Sequence, residues 1–186
     1  MLNGKQGVAS IHALRGVGAL AVVVYHAEPL FPQFNFKMGA AGVDLFFVIS
    51  GIVMQLAFDP KGSALEFLRR RVVRVVPMYW IATMAALLYY NYRFPGAPPS
   101  VSYLLHSLFF LPPPSGFHMP FLYPGWTLNF EMFFYLALAV AIATRIHAIL
   151  LTGCVVTLIG SLSIALPPEA TPYYASPLML EFVMGL

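Results

Sequence analysis

His26, Asp44 and Glu131 each sit in or at the edge of a long apolar run. An ionisable group inside a membrane span costs about 2.5–3.5 kcal/mol on insertion scales, so each requires a reason. A carboxylate beside a histidine fixes its tautomer and raises its basicity, as a general base needs. Arg15 precedes His26 by eleven residues. At about 100° per residue the pair lies about 20° from one helix face and about 16 Å apart along it. Downstream, "RRRVVRVVPMYW" at Arg69–Trp80 gathers four arginines ahead of an apolar, aromatic stretch. Such a cluster serves either as a topology signal or as a site for an anion. Arg71 and Arg74 are three apart and share a helix face. Milder readings stay open at this point: Arg15 as a snorkelling anchor, His26 as an interhelical hydrogen-bond partner, and His26 with Asp44 as a structural buried pair.

These residues must be positioned by membrane helices. The chain is 60% hydrophobic and only 9% charged, whereas soluble domains run nearer a quarter charged. A span needs about 20 mostly apolar residues. The expected spans cover residues 12–31, 39–58, 73–92, 124–143 and 147–166. A sixth starts near Pro177 and is still apolar at Leu186, about half the length of a span. The fold class is therefore all-α, a polytopic membrane helix bundle with about five full spans and a truncated sixth. Lys5 and Arg15 precede an apolar run, but no small-residue cleavage pattern follows at Glu28–Leu30, so the first helix reads as uncleaved. The proline-rich stretch Phe94–Pro124 holds a short apolar piece, Tyr103–Leu111, too short to span and better suited to an interfacial or re-entrant segment. With the N-terminus inside, Lys5, Arg15, Lys61, Arg69, Arg70, Arg71, Arg74 and Arg145 lie inside, and Lys37 and Arg93 outside. The positive-inside rule favours that orientation, with the arginine cluster cytoplasmic.

By this placement His26, Asp44 and Glu131, from three helices, reach similar depth in the outer half of the bilayer. Glu28 falls near a helix end and reads as solvated. Glu181 is flanked by apolar residues in the incomplete sixth segment. Cys154 lies in an apolar run and reads as packing. No Cys/His spacing resembles a metal site. His12 and His147 lie near cytoplasmic ends, and His106 and His118 in the outer segment. Trp80, Tyr89, Tyr90, Tyr92, Tyr123 and Trp126 suit an aromatic belt. "GVG" at Gly16–Gly18 has no preceding strand and is no nucleotide fingerprint; Gly16, Gly39, Gly42 and Gly51 suit close helix packing. Pro77 is expected in the first turns of the third span, where a missing N–H costs little.

Four stretches carry a family resemblance: "LRGVGALAVVVYH" (Leu14–His26), "GAAGVDLFFVISGIVM" (Gly39–Met54), "FLRRRVVRVVPMYW" (Phe67–Trp80) and "PGWTLNFEMFFY" (Pro124–Tyr135). In this order they resemble the acyltransferase-3 family of integral membrane acyltransferases, and their wording is nearest the exopolysaccharide-production subgroup. The family usually has about ten spans, so residues 1–186 resemble the N-terminal part of its domain. The resemblance implies that Arg15 and His26 match an Arg-x10-His signature, Arg71 and Arg74 an Arg-x-x-Arg signature, and Glu131 and Asp44 the acidic positions. It implies an enzyme that moves an acyl group, in this subgroup acetyl, from cytoplasmic acyl-CoA to a sugar hydroxyl of surface polysaccharide across the bacterial inner membrane. Arg15, Arg71 and Arg74 would bind the coenzyme A phosphates, because guanidinium groups give bidentate, always-charged contacts. His26 would take the acceptor proton, with Asp44 or Glu131 orienting it. Acyl-CoA is then a donor substrate and no bound cofactor is expected. The expected partners are lipid, a saccharide acceptor, and polysaccharide-synthesis machinery or helices that complete the bundle; nucleic acid is not among them. Three competing readings are a proton-coupled transporter using the same intramembrane groups as a relay, another membrane O-acyltransferase centred on His106, and an inactive truncated fragment. Inverted repeats, which would favour the transporter, are not visible.

Overall fold

A computed structural model describes residues 4–27, 36–56, 58–59, 62–145, 147–167 and 170–186. Its helices are α1 (Gly4–His26), α2 (Ala41–Leu56), α3 (Ala64–Arg93), α4 (Val101–Leu108), α5 (Trp126–Thr144), α6 (Ala148–Ala165) and α7 (Leu178–Gly185). Short 3-10 turns at Lys37–Ala40 and Tyr123–Gly125 lead into α2 and α5. Among the described residues there is no strand, and the chain is an integral membrane bundle. Four helical stretches are long and apolar enough to cross a membrane: Lys37–Leu56, Ala64–Arg93, Tyr123–Thr144 and Ala148–Ala165. The apolar part of α1, Ala13–His26, is shorter. The expected outer end of the first span, with Glu28, lies outside the described residues, as do Lys61 and the side chains of Lys5 and His12.

Helices α2, α5, α6 and α7 pack as a ring, with α1 laid against α2 and α3 against α5. The ring is filled by aromatic residues. Phe182 of α7 stacks on Phe134 of α5 at 4.4 Å between centroids and meets Phe47 of α2 at 4.7 Å. Aromatic pairs at such spacing add about 0.5–1.5 kcal/mol beyond their buried area. Glycine permits the closest crossings. A Cβ on Gly51 would overlap the Phe182 carbonyl oxygen and lie 2.9 Å from Gly185 Cα, so α2 and α7 touch backbone to backbone. The outer faces of α1 and α3 stay apolar and exposed, for example at Leu20, Val23, Ile81 and Leu88, as lipid-facing surfaces require.

The third helix begins at Ala64, nine residues before the expected start of that span at residue 73. The arginines and Glu66 are good helix formers, and Glu66 in the first turn suits the positive end of the helix. The arginines therefore lie on helical backbone from Arg69 onward. The expectation for Pro77 is overturned by the same fact. Pro77 is inside α3, not in its first turns, and its missing N–H leaves the Val73 carbonyl without an i+4 partner.

The proline-rich stretch between α3 and α5 forms the short helix α4. Ser100 caps it by accepting the Tyr103 N–H at 3.2 Å. It is lashed to α3 by a 2.8 Å hydrogen bond between the Tyr79 hydroxyl and Ser107 Oγ. The Trp80 indole N–H also donates to the Leu108 carbonyl at 3.0 Å. Eight residues are too few to span.

Candidate active site

The ends of α1, α2 and α5 enclose a cavity of about 480 Å³. This lies within the range of small-molecule sites, about 300–1,000 Å³. Arg15 and His26 of α1, Asp44 and Ser50 of α2 and Glu131 of α5 all line it. His26 is in the last turn of α1, Asp44 in the first turn of α2, and Glu131 five residues into α5. They line one cavity at different depths: His26 meets Tyr123, eight residues before Glu131, and Gly42, two residues before Asp44, lies against Gly18, eight residues before His26. The approach of α1 to α2 depends on glycine. A Cβ on Gly42 would lie 2.6 Å from the Gly18 carbonyl oxygen, and one on Gly39 would meet the Ala21 carbonyl. On the α5 side, a Cβ on Gly125 would lie 2.6 Å from the Tyr79 ring. That tight turn presents Tyr123 edge-on to His26, with centroids 6.1 Å apart.

Each site residue has a definite setting. His26 is exposed to the cavity, and its Nδ1 is 2.8 Å from the Val22 carbonyl one turn earlier. A carbonyl only accepts, so Nδ1 carries a proton, and in the neutral form of the ring Nε2 is the nitrogen with the lone pair. The imidazole is therefore oriented by its own helix, and neither Asp44 nor Glu131 is hydrogen-bonded to it. Asp44 is exposed on the cavity wall. Glu131 is half-buried, and its Oε1 accepts from Ser50 Oγ at 3.3 Å and from the Tyr135 hydroxyl. The Arg15 guanidinium lies 5.8 Å from the centroid of the Phe46 ring, within cation–π range.

The remaining two arginines lie outside the cavity lining. Arg71 is half-buried, with its guanidinium 5.4 Å from the Phe67 ring and 5.8 Å from the Tyr135 ring. Its Nε is buried without a hydrogen-bond partner among the described residues. Arg74, one turn on, is exposed. Arg69 and Arg70 reach Glu66 at 3.6 and 3.5 Å on the solvent side. Arg15, His26, Asp44 and Glu131 therefore line one cavity, and Arg71 adjoins Glu131 through Tyr135. Arg74 stands apart. His106 is elsewhere, its Nδ1 2.6 Å from the Pro112 carbonyl in the outer segment. Among the described residues no three His, Cys, Asp or Glu side chains gather where a metal ion could sit.

Sequence reasoning missed Ser50 and Tyr135, which hold Glu131, and placed Tyr123 and Trp126 only in an aromatic belt, although both line the cavity. Tyr135 was within reach, because residues four apart on a helix are neighbours. Ser50 carried no such signal: it is polar in an apolar run, but its partner is 81 residues away.

The arrangement offers an imidazole, two carboxyl groups and a guanidinium around one cavity. Comparison with known proteins identifies the family. The acyltransferase-3 family model, described as an acyltransferase domain, matches residues 8–186. The exopolysaccharide production protein ExoZ of Rhizobium meliloti (strain 1021) is 38% identical over 166 residues, covering 82% of this chain and 50% of that protein. ORF330 of Acidianus two-tailed virus, whose name proposes an acetyltransferase, is 30% identical over 128 residues, covering 68% of this chain and 38% of its own length. The chain thus spans half or less of the length of these relatives. No solved structure matches it.

Proposed function

Because the chain belongs to the acyltransferase-3 family, in its exopolysaccharide-production subgroup, we propose that it forms the proton-transfer end of a membrane O-acyltransferase. The donor is cytoplasmic acyl-CoA, with acetyl as the acyl group, and the acceptor is a sugar hydroxyl of an exported polysaccharide. The membrane is the bacterial inner membrane, with the N-terminus cytoplasmic.

One observation carries this reading. His26 lines a cavity with Nδ1 committed to the Val22 carbonyl and Nε2 without a partner among the described residues, and Arg15, Asp44 and Glu131 line the same cavity. In the proposed step, Nε2 takes the proton of the acceptor hydroxyl as its oxygen attacks the thioester carbonyl. The new C–O bond forms, the C–S bond breaks, and the proton passes to the departing thiolate. Asp44 and Glu131, on the wall of the same cavity, bias its potential in favour of positive charge. Arg71 and Arg74 bind the donor's phosphates at the cytoplasmic end of α3, where guanidinium geometry matches phosphate oxygens. Arg15, on the cavity wall, lies on the path between that end and His26. Polysaccharide-synthesis machinery supplies the acceptor, and further helices complete the bundle.

The test uses the full-length protein in membranes of its host, which contain the acceptor. His26→Ala should abolish polysaccharide acetylation, and retained acetylation would sink the catalytic role. Replacing Arg71 and Arg74 with glutamine should raise the apparent KM for acetyl-CoA, and an unchanged KM would refute the donor assignment.

A further inference from the structure

Tyr135 is 3% exposed and lies where the cavity lining meets the arginine-bearing face of α3. It does two things with one side chain. Its hydroxyl donates to Oε1 of Glu131, the oxygen that also accepts from Ser50 Oγ. Among the described residues Oε2 receives no protein donor, so one carboxyl oxygen is anchored and the other is left for the cavity. The ring of Tyr135, edge-on to Phe67 at 6.4 Å, forms with it an aromatic seat for the Arg71 guanidinium. Among the described residues no protein acceptor is bonded to that guanidinium, so its N–H groups remain for an anion. Arg71, Tyr135, Glu131 and Ser50 thus form a continuous line across α3, α5 and α2.

We infer that Tyr135 is a positioning residue that ties the donor-binding arginine to the cavity carboxyl, its ring seating Arg71 and its hydroxyl fixing Glu131. The inference rests on the acyl-transfer reading given above. It assigns separable effects to the two parts of the side chain. Losing the hydroxyl frees the Glu131 rotamer without disturbing the cation seat. Losing the ring unseats Arg71 as well. A buried side chain that serves packing alone would not divide in this way.

The experiment follows acetyl-CoA turnover as thiol release by the full-length protein, in host membranes that contain the polysaccharide acceptor. Tyr135→Phe, which keeps the ring, should lower kcat about 10- to 100-fold, the range for a hydrogen bond to a charged group, and leave KM for acetyl-CoA within about twofold. Ser50→Ala, the weaker contact, should lower kcat about 3- to 10-fold. Tyr135→Leu should in addition raise that KM by about fivefold or more. A Tyr135→Phe enzyme within about twofold of the parent kcat, or equal KM values for the Phe and Leu variants, would overturn the proposal. Infrared difference spectra of the purified full-length protein give a readout free of turnover. The carboxyl band that disappears in Glu131→Gln should shift in Tyr135→Phe, and an unshifted band would overturn the holding contact. Full activity of Glu131→Gln would instead bring down the catalytic use of the carboxyl, so the two failures are distinguishable.

Discussion

Replacing Gly42 with alanine should push α1 off α2 and misplace His26 without touching a reacting group. The added Cβ would lie 2.6 Å from the Gly18 carbonyl oxygen, about 0.8 Å inside the 3.4 Å at which ordinary contact begins. The obstacle is backbone, so no rotamer change relieves it. The next atom, Val22 Cγ2 at 2.9 Å, belongs to a β-branched residue with one strongly preferred helical rotamer. Helix α1 must therefore retreat by roughly the shortfall, and Val22 is the residue whose carbonyl orients His26. Overpacking of this kind costs about 1–3 kcal/mol of stability. A misplacement of about 1 Å at a reacting group costs about 100-fold in rate. The assay is kcat/KM for acetyl-CoA in the full-length protein, with thermal stability in detergent measured in parallel. Gly16→Ala is the control, since a Cβ there meets nothing within 4 Å among the described residues. It should keep its activity and gain slightly in helix propensity. A Gly42→Ala enzyme as active as Gly16→Ala would refute the argument that this crossing sets the site.

Three further outcomes follow. Arg69→Ala and Arg70→Ala should leave KM for acetyl-CoA unchanged and stability within about 1 kcal/mol, because their exposed pairing with Glu66 is worth little; a KM rise like that of Arg71 would extend the donor site to them. His106→Ala should retain acyl transfer in membranes, since its contact is to the Pro112 carbonyl of the outer segment; abolished transfer in a folded variant would favour a centre at His106. Tyr174 lies in the loop between α6 and α7, and its hydroxyl donates to the carbonyl of Phe110, a residue held at φ 57. Burial first, and then Tyr173, push its pKa from 10.0 up to about 12. The folded state holds that proton more tightly, so the contribution is complete below pH 10 and fades as pH rises through about 12. Tyr174→Phe should cost about 1 kcal/mol in thermal unfolding at neutral pH, with the gap to the parent narrowing above pH 10; a constant gap would refute the assignment.

The sequence made the spans legible because lipid imposes a coarse rule: apolar runs of span length must be helical. Its boundaries failed where that rule does not apply. Ala64–Val72 is too polar for a span, yet it is helical, because helix propensity and the Glu66 pairs suffice outside the bilayer. The placement of Pro77 failed with it. That His26, Asp44 and Glu131 line one cavity agrees with helices joined as neighbours, but the common depth expected of them fails: Asp44 lies past the Gly42–Gly18 crossing and Glu131 beside Ser50, each several residues deeper than His26. What depth could not supply was rotation about each helix axis. That depends on which glycines meet, such as Gly42 with Gly18 and Gly51 with Gly185, and on aromatic fit inside the ring.

Rotation decides the chemistry. A general base needs a fixed tautomer, and sequence reasoning looked for a carboxylate to fix it. In the structure a backbone carbonyl of the same helix does so. This leaves both carboxyl groups for other work, and Glu131 is restrained by donors rather than by a cation. A carboxyl group locked to an arginine would be a spent charge. One held by neutral hydroxyls keeps its capacity to answer an imidazolium. The arginine is close by, yet it is seated on an aromatic ring, which holds a guanidinium without consuming its N–H donors. On the proposed reading, the separation of charge across Tyr135 keeps the donor's anion site and the cavity carboxyl adjacent without one neutralising the other.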